Sequence, residues 1–530
     1  MNTKTISLRT RSFRNKLIYS GCIVILILPM FWLGQPATIG VDGESSTKGG
    51  KLEQLRQESK ISELEIGEVN MAGEAIRLGT FGLDGVATLV LWQKAEDFKK
   101  KKDWTNLSAT LKQLILLVPH FETVWRFQGW NLAYNVSVEC DNYKDRYDWV
   151  IEGIRYLERG TRYNQKSIRI TWDVGWTTAQ KISKSDERVQ FRQLFRQDDD
   201  FNKDRPLEER DSWLVGKEWY LKAVDLHTKQ GVDLQTISPT LFFSHAPNAQ
   251  AYYAENLQTE GHFDMKTLMA WQDFAQEWKE YGQREIPTAD SQTVRLYDQE
   301  ELQQQAEDAR QQLEALQPGL YDRLVAAKRA KLTPQELAVV DKKMEEMTAD
   351  EVNLSSEAKE KIRVSNTEWA TELPSDLRNE GLLLAKRIDT STMQARLIQR
   401  SRMIVNYRFW QLTGILEQTP EIMEARKLIY EGNQAYASGD LVVAKNNYER
   451  AIQNWASVVA KPEFKEITDE DLFGTELREI IDKYEIILNQ RNETLPENFP
   501  LKEVIQKTRK TDDAILRQMR IEKPSMQTIQ

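Results

Sequence analysis

The chain has 530 residues, room for two or three domains of ordinary size. Charged residues make up 29% of it and the formal net charge is −9, a balance that excludes nucleic acid as the expected partner, because a phosphate backbone needs a basic face. Two cysteines, Cys22 and Cys140, cannot build a disulfide framework, so stability must come from packing, to which fifteen tryptophans and seventeen tyrosines supply large surfaces.

Residues 1–16 form a basic leader with Lys4, Arg9, Arg11, Arg14 and Lys16, followed by an apolar run from Leu17 to Leu33. A helix of about 17 to 20 apolar residues spans a bilayer core of roughly 30 Å. Basic flanks stay in the cytoplasm, so residues 17–34 are expected to be a single-pass anchor in the inner membrane. The N-terminus would be cytoplasmic and the bulk of the chain on the exported, periplasmic side. A cleaved signal peptide has the same layout, but Gln35 and Pro36 stand where small residues would favour cutting. Residues 35–60 begin with a stretch rich in Gly, Ser, Thr and Asp and read as a flexible linker.

From 61 to 290 apolar and aromatic residues recur at helical spacing, with breaks at Pro119, Asn164, Asp198 to Asp200, Pro239 and Pro247. Residues 296–365 are charged and rich in strong helix formers around a sparse apolar stripe, and they predict two or three long, solvated helices. Whether these form a coiled coil stays open, since heptads are not sustained. Within the segment Pro318-Gly319 is a break, and Thr333, Pro334 and Glu336 make a capped helix start. Apolar helices return over 366–460, and 461–530 is a helical to loosely held tail.

Repeats decide the fold before single residues do. The clearest unit, 425–455, places Gly432 at a close helix approach and Gly439-Asp440 at a turn. Ala444 and Ala451 then line the contact, and Tyr448 fills the gap between them. The same grammar recurs nearer the N-terminus in Trp104, Pro119, Trp125 and Gly129, then in Gly153, Leu157 and Gly160, then in Gly175, with an insertion around Glu139 to Asp145. A weaker unit runs from Asn248 to Tyr281, with Ala254, Gly261 and Phe263 in register but Lys266 and Asp273 at small-residue positions.

These spacings resemble the tetratricopeptide repeat. The overall layout, with the segments Trp213 to Trp219 and Glu280 to Thr288, is similar to a group of large exported planctomycete proteins that carries no activity to transfer. The resemblance implies an all-α fold, in which the anchor is followed by a solenoid of helical hairpins and a long charged helical segment. It also implies an extended groove for protein partners on the first helices of the pairs.

Residues with chemistry of their own are scarce. His120, His227, His245 and His262 do not pair at metal-ligand spacing, and Cys140 sits beside Asp141, an acidic neighbour that disfavours a thiolate. Asp198, Asp200, Asn202, Asp204 and Glu209 are spaced like calcium ligands, but Lys203 stands where that loop needs glycine. Lys99 to Lys102 read as the solvated end of a helix rather than a lipid contact. Trp213, Trp219, Tyr220 and Tyr252 are the first candidates for a ligand platform, against the plainer reading of helix-packing aromatics. No catalytic, cofactor or metal residues are assigned. The expectation is a membrane-anchored, non-catalytic scaffold for protein partners, with an envelope enzyme or a chaperone-like export factor as alternatives.

Overall fold

The computed structural model describes residues 84–288, 292–464 and 471–502, with scattered positions between 16 and 55. Much of the expected anchor and linker, and residues 503–530, lie outside the described residues. Among those described, no helix is long and apolar enough to cross a membrane. The fold is all-α: strand is confined, among the described residues, to two short antiparallel pairs, Thr38–Ile39 with Ser45–Thr47 and Ile286–Pro287 with Thr293–Val294. Two compact units form, one from Met1–Thr236 with Asn248–Tyr253, the other from Ile237–Pro247 with Ala254–Gln530. The division falls near residue 237, within the stretch 61–290 read from the sequence as one helical domain.

The helices of the first unit are α1 (Asp84–Lys100), α2 (Trp104–Leu117), α3 (Glu122–Trp130), α4 (Tyr143–Tyr163), α5 (Ile168–Trp176), α6 (Arg188–Gln197), α7 (Asp199–Asn202) and α8 (Ser212–Thr228). Polar caps start five of them: side chains of Asp103, Asn142, Ser167, Asp198 and Asp211 each accept from a backbone N–H of the first turn. Pro119 ends the α2 segment, and its carbonyl accepts from the Trp125 indole at 2.7 Å and from the Asn164 side chain at 3.3 Å. One acceptor thereby ties the start of α3 to the end of α4. Trp104 opens α2 half-buried against the core, whose Leu107, Leu111 and Leu114 are fully buried.

The small residues singled out in the sequence come together as close helix contacts. A Cβ on Gly153 would lie 2.7 Å from the Gly129 carbonyl oxygen, one on Gly129 2.5 Å from Leu157, and one on Gly160 3.0 Å from Trp125. These five residues thus make one α3–α4 interface. The extra chain between Gly129 and Gly153 is absorbed by lengthening α3 through a π turn, Asn131–Val136, and a 3-10 turn, Ser137–Glu139. Gly175 then meets the Gly216 carbonyl oxygen across α5–α8, and Tyr220 lies against it. Gly216, Tyr220 and Ala223 repeat the four-and-three spacing of Gly153, Leu157 and Gly160, a match hidden in the sequence by the intervening α6 and α7.

These contacts carry a prediction. Alanine favours helix over glycine by about 1 kcal/mol, but at Gly153 and Gly216 the added methyl meets a backbone carbonyl and forces two helices apart. Gly153→Ala and Gly216→Ala should each lower the urea midpoint of the first unit, at a net cost of about 1–3 kcal/mol. Gly432→Ala in the second unit meets side-chain atoms of Tyr448 and Asn447 rather than backbone, and should cost clearly less. Equal effects at all three positions would contradict the backbone argument.

Helix α9 (Pro239–Thr259) contributes residues to both units. The second unit continues with α10 (Met265–Gln283), α11 (Gln299–Leu316), α12 (Leu320–Arg329), α13 (Pro334–Val340), α14 (Ala349–Ile362), α15 (Asn366–Thr371), α16 (Arg378–Ile404), α17 (Tyr407–Leu416), α18 (Pro420–Ala437), α19 (Leu441–Val459) and α20 (Asp471–Gln490). The unit expected at 248–281 is the α9–α10 pair, with Gly261 at φ +87° in its turn and Asp264 capping α10. Thr333 and Glu336 form the expected reciprocal cap on α13. Gly439, at φ +83°, turns α18 into α19, and Ala444, Tyr448 and Ala451 are buried together, with the Tyr448 hydroxyl donating to Asn433 at 2.8 Å.

The charged segment 296–365 is not the set of long solvated helices expected. It breaks into four helices, and the long partner of α11 is α16, from beyond the segment. Ala309 and Leu313 of α11 share a core with Trp369, Leu373, Ala385 and Ile388. The boundary at 365 therefore runs through one core. The stripe on α11 is too narrow to be buried by its neighbours in sequence, and the apolar face of α16 completes it.

Candidate functional site

In the first unit α3 and α5 lie in contact, and both leave regular winding directly after their packing glycine. Gly129-Trp130 runs into the π turn Asn131–Val136, and Gly175-Trp176 into the π turn Thr177–Lys181. Such turns re-aim the side chains beyond them and are frequent at functional sites. With each glycine pressed on the opposing helix, the next residue lies about 100° further round and faces away from that contact. Trp130 is accordingly 46% exposed and Trp176 36%.

The two tryptophans belong to one aromatic surface. Trp130 stacks on Tyr134 at 6.2 Å, with the rings 19° from parallel, and Trp172 stacks on Trp176 at 5.0 Å. The Trp176 indole N–H donates to the Tyr134 hydroxyl, which joins the two stacks across the helices. The Lys181 ammonium lies 4.9 Å from the centroid of the Tyr134 ring. One turn before Trp130, the Arg126 guanidinium donates to both oxygens of Asp173 on α5.

Burial shapes the electrostatics here. It lifts the Tyr134 hydroxyl to about 12 and pushes the Lys181 ammonium below its ordinary value. It also raises the Asp173 carboxyl, and the attraction of Arg126 only partly offsets this. A weakly hydrated cation, stacked rings and a self-satisfied ion pair suit recognition of a ligand by contact area and stacking.

The residues singled out in the sequence divide differently. Trp213 stacks on Tyr252 at 4.6 Å, with the Lys184 ammonium 3.7 Å from the Tyr252 centroid. Trp213 and Tyr220 are each only 2% exposed, so neither offers a ring face to a ligand. Tyr220 packs against Trp172 and Gly175, and Trp219 is half-buried beneath Lys222. The platform is therefore not one surface. In the stretch that imitates a calcium loop, Asp198 accepts from the Phe201 backbone and the Tyr147 hydroxyl, and Asn202 donates to the Phe195 carbonyl. Among the described residues no group of three His, Cys, Asp or Glu side chains is placed to hold a metal ion. Trp130, Tyr134 and Trp176 went unnoticed in the sequence, although the recurring Gly-Trp dipeptide was the signal that could have found them.

No family model matches the chain, and no curated protein matches it either.

Proposed function

We propose that this chain is a non-catalytic scaffold, held at the membrane by residues 17–34, whose first unit is a tetratricopeptide-like array that binds a protein partner on the α3–α5 face. One observation carries the reading: two adjacent first helices present exposed tryptophans at the same step after their packing glycines. Exposed, pre-stacked aromatic rings lose little conformational freedom on binding and serve well as interface anchors. The apolar run and its basic leader support the anchor, and the exported location follows from their order.

The test joins capture to a matched variant. Partners crosslinked to the full chain in intact membranes and recovered in detergent should be lost with W130A/W176A, while the far-ultraviolet circular dichroism stays unchanged. Each truncated anchor should cost about 2 kcal/mol, so the pair should weaken binding by at least about 100-fold. Equal recovery by the variant would reject this face as the partner site. N-terminal sequencing of the mature protein checks the anchor, and a start near Thr38 would remove it.

A further inference from the structure

In the second unit a cavity of 490 Å³ opens between α11, the start of α12, the end of α14 and the middle of α16. Arg310, Arg363, Arg396 and Arg400 line it, and Asp389 is the one carboxylate among its lining residues. Asp389 is engaged, accepting from Asn366 at 2.7 Å. Arg310 lies over the Tyr321 ring at 5.4 Å, and Arg363 makes only a long, exposed pair with Glu360 at 3.4 Å. Arg396 and Arg400, four residues apart on one face of α16, make no ion pair or hydrogen bond with any described residue. A second hollow of 330 Å³ shares Arg310, Thr392 and Arg396 with the first.

This gathering of charge runs against the composition of the chain. The net charge is −9, yet from Thr390 to Leu416 there are four arginines and no acidic residue. Arg402 of that stretch is consumed by an ion pair with Glu300, but Arg396 and Arg400 face the cavity without one. Four guanidinium groups on exposed residues around one hollow raise the local positive potential and favour an anion there. Guanidinium forks match phosphate and carboxylate oxygens two at a time. Behind them, Val364 and Ile388 give the hollow a buried apolar floor, and its volume is that of a small-molecule site.

We propose that this cavity binds a small organic anion carrying two or more phosphate or carboxylate groups. The arginines hold its charged ends, and the apolar floor takes its body. The proposal is independent of the partner face on the first unit.

Titration calorimetry on the purified full chain at low ionic strength tests it, with inorganic tripolyphosphate, citrate and a polyglutamate peptide as probes. Tripolyphosphate, citrate or both should bind, and R396E/R400E should weaken that binding at least tenfold. The charge-matched variant K386E/R387E, also on α16 but outside the cavity lining, should stay within twofold. Preference for tripolyphosphate over citrate would assign the anion to phosphates, and the reverse order to carboxylates. Binding of polyglutamate alone, equal loss in the two variants, or no binding of either small probe would overturn the proposal.

Discussion

Arg426→Met should destabilise the second unit by about 3–5 kcal/mol, the range for breaking a buried charge network by removing one partner. The Arg426 guanidinium bridges Glu417, which is fully buried, and Glu476 of α20, and it lies 4.9 Å from the Trp455 ring centroid of α19. The other Glu417 oxygen accepts from Gln258 at 2.9 Å. Burial opposes the guanidinium charge, but the two carboxylates outweigh it and hold its pKa above the ordinary value. Removing the arginine leaves the Glu417 carboxylate dry and answered only by a neutral amide. The urea midpoint of the second unit should fall, and hydrogen exchange across α18 to α20 should accelerate. Because the damage comes from the orphaned carboxylate, R426M/E417Q should recover part of the loss. An unchanged midpoint in R426M would mean that water already solvates the network.

Acid should weaken the same unit through His245 on α9. Burial holds its imidazole at about 4, well below the ordinary 6.5. Between those values the unfolded chain binds a proton that the folded chain refuses, so stability falls as pH drops. The contribution is complete above about pH 6.5 and lost by about pH 4, where both states are protonated. At about 1.4 kcal/mol per pH unit the interval is worth up to about 3 kcal/mol. Comparing urea midpoints at about pH 7 and about pH 4.5, wild type should lose more stability than H245Q, whose side chain does not titrate. Parallel losses in the two proteins would exclude His245 as the source.

Much of the architecture was legible because its signals are local. The cap at Thr333 and the turn at Gly439-Asp440 need only neighbouring residues, and each appears where the spacing placed it. The set Trp125, Gly129, Gly153, Leu157 and Gly160 was also readable, because small residues at fixed steps record how closely two helices approach. Gly216 and Ala223 obey the same rule and were missed, since α6 and α7 separate them from their partner Gly175. Register counting fails across an insertion.

The candidate sites were harder to read for a related reason. Tyr220 and Trp213 looked as available as Trp130 and Trp176, because a sequence records that a ring is present but not whether another helix covers it. Arg310, Arg363 and Arg396 come from three separate segments, and nothing in any one of them announces a shared cavity. What the sequence by itself determined is the helical class, the hairpin grammar and the expectation of an anchor, all set by periodicity and spacing along the chain. Only the tertiary structure decided that α11 pairs with α16, which aromatic rings remain in solvent and where unpaired positive charge collects. Those outcomes depend on which faces bury one another, and burial is a property of the packed helices together rather than of any one segment.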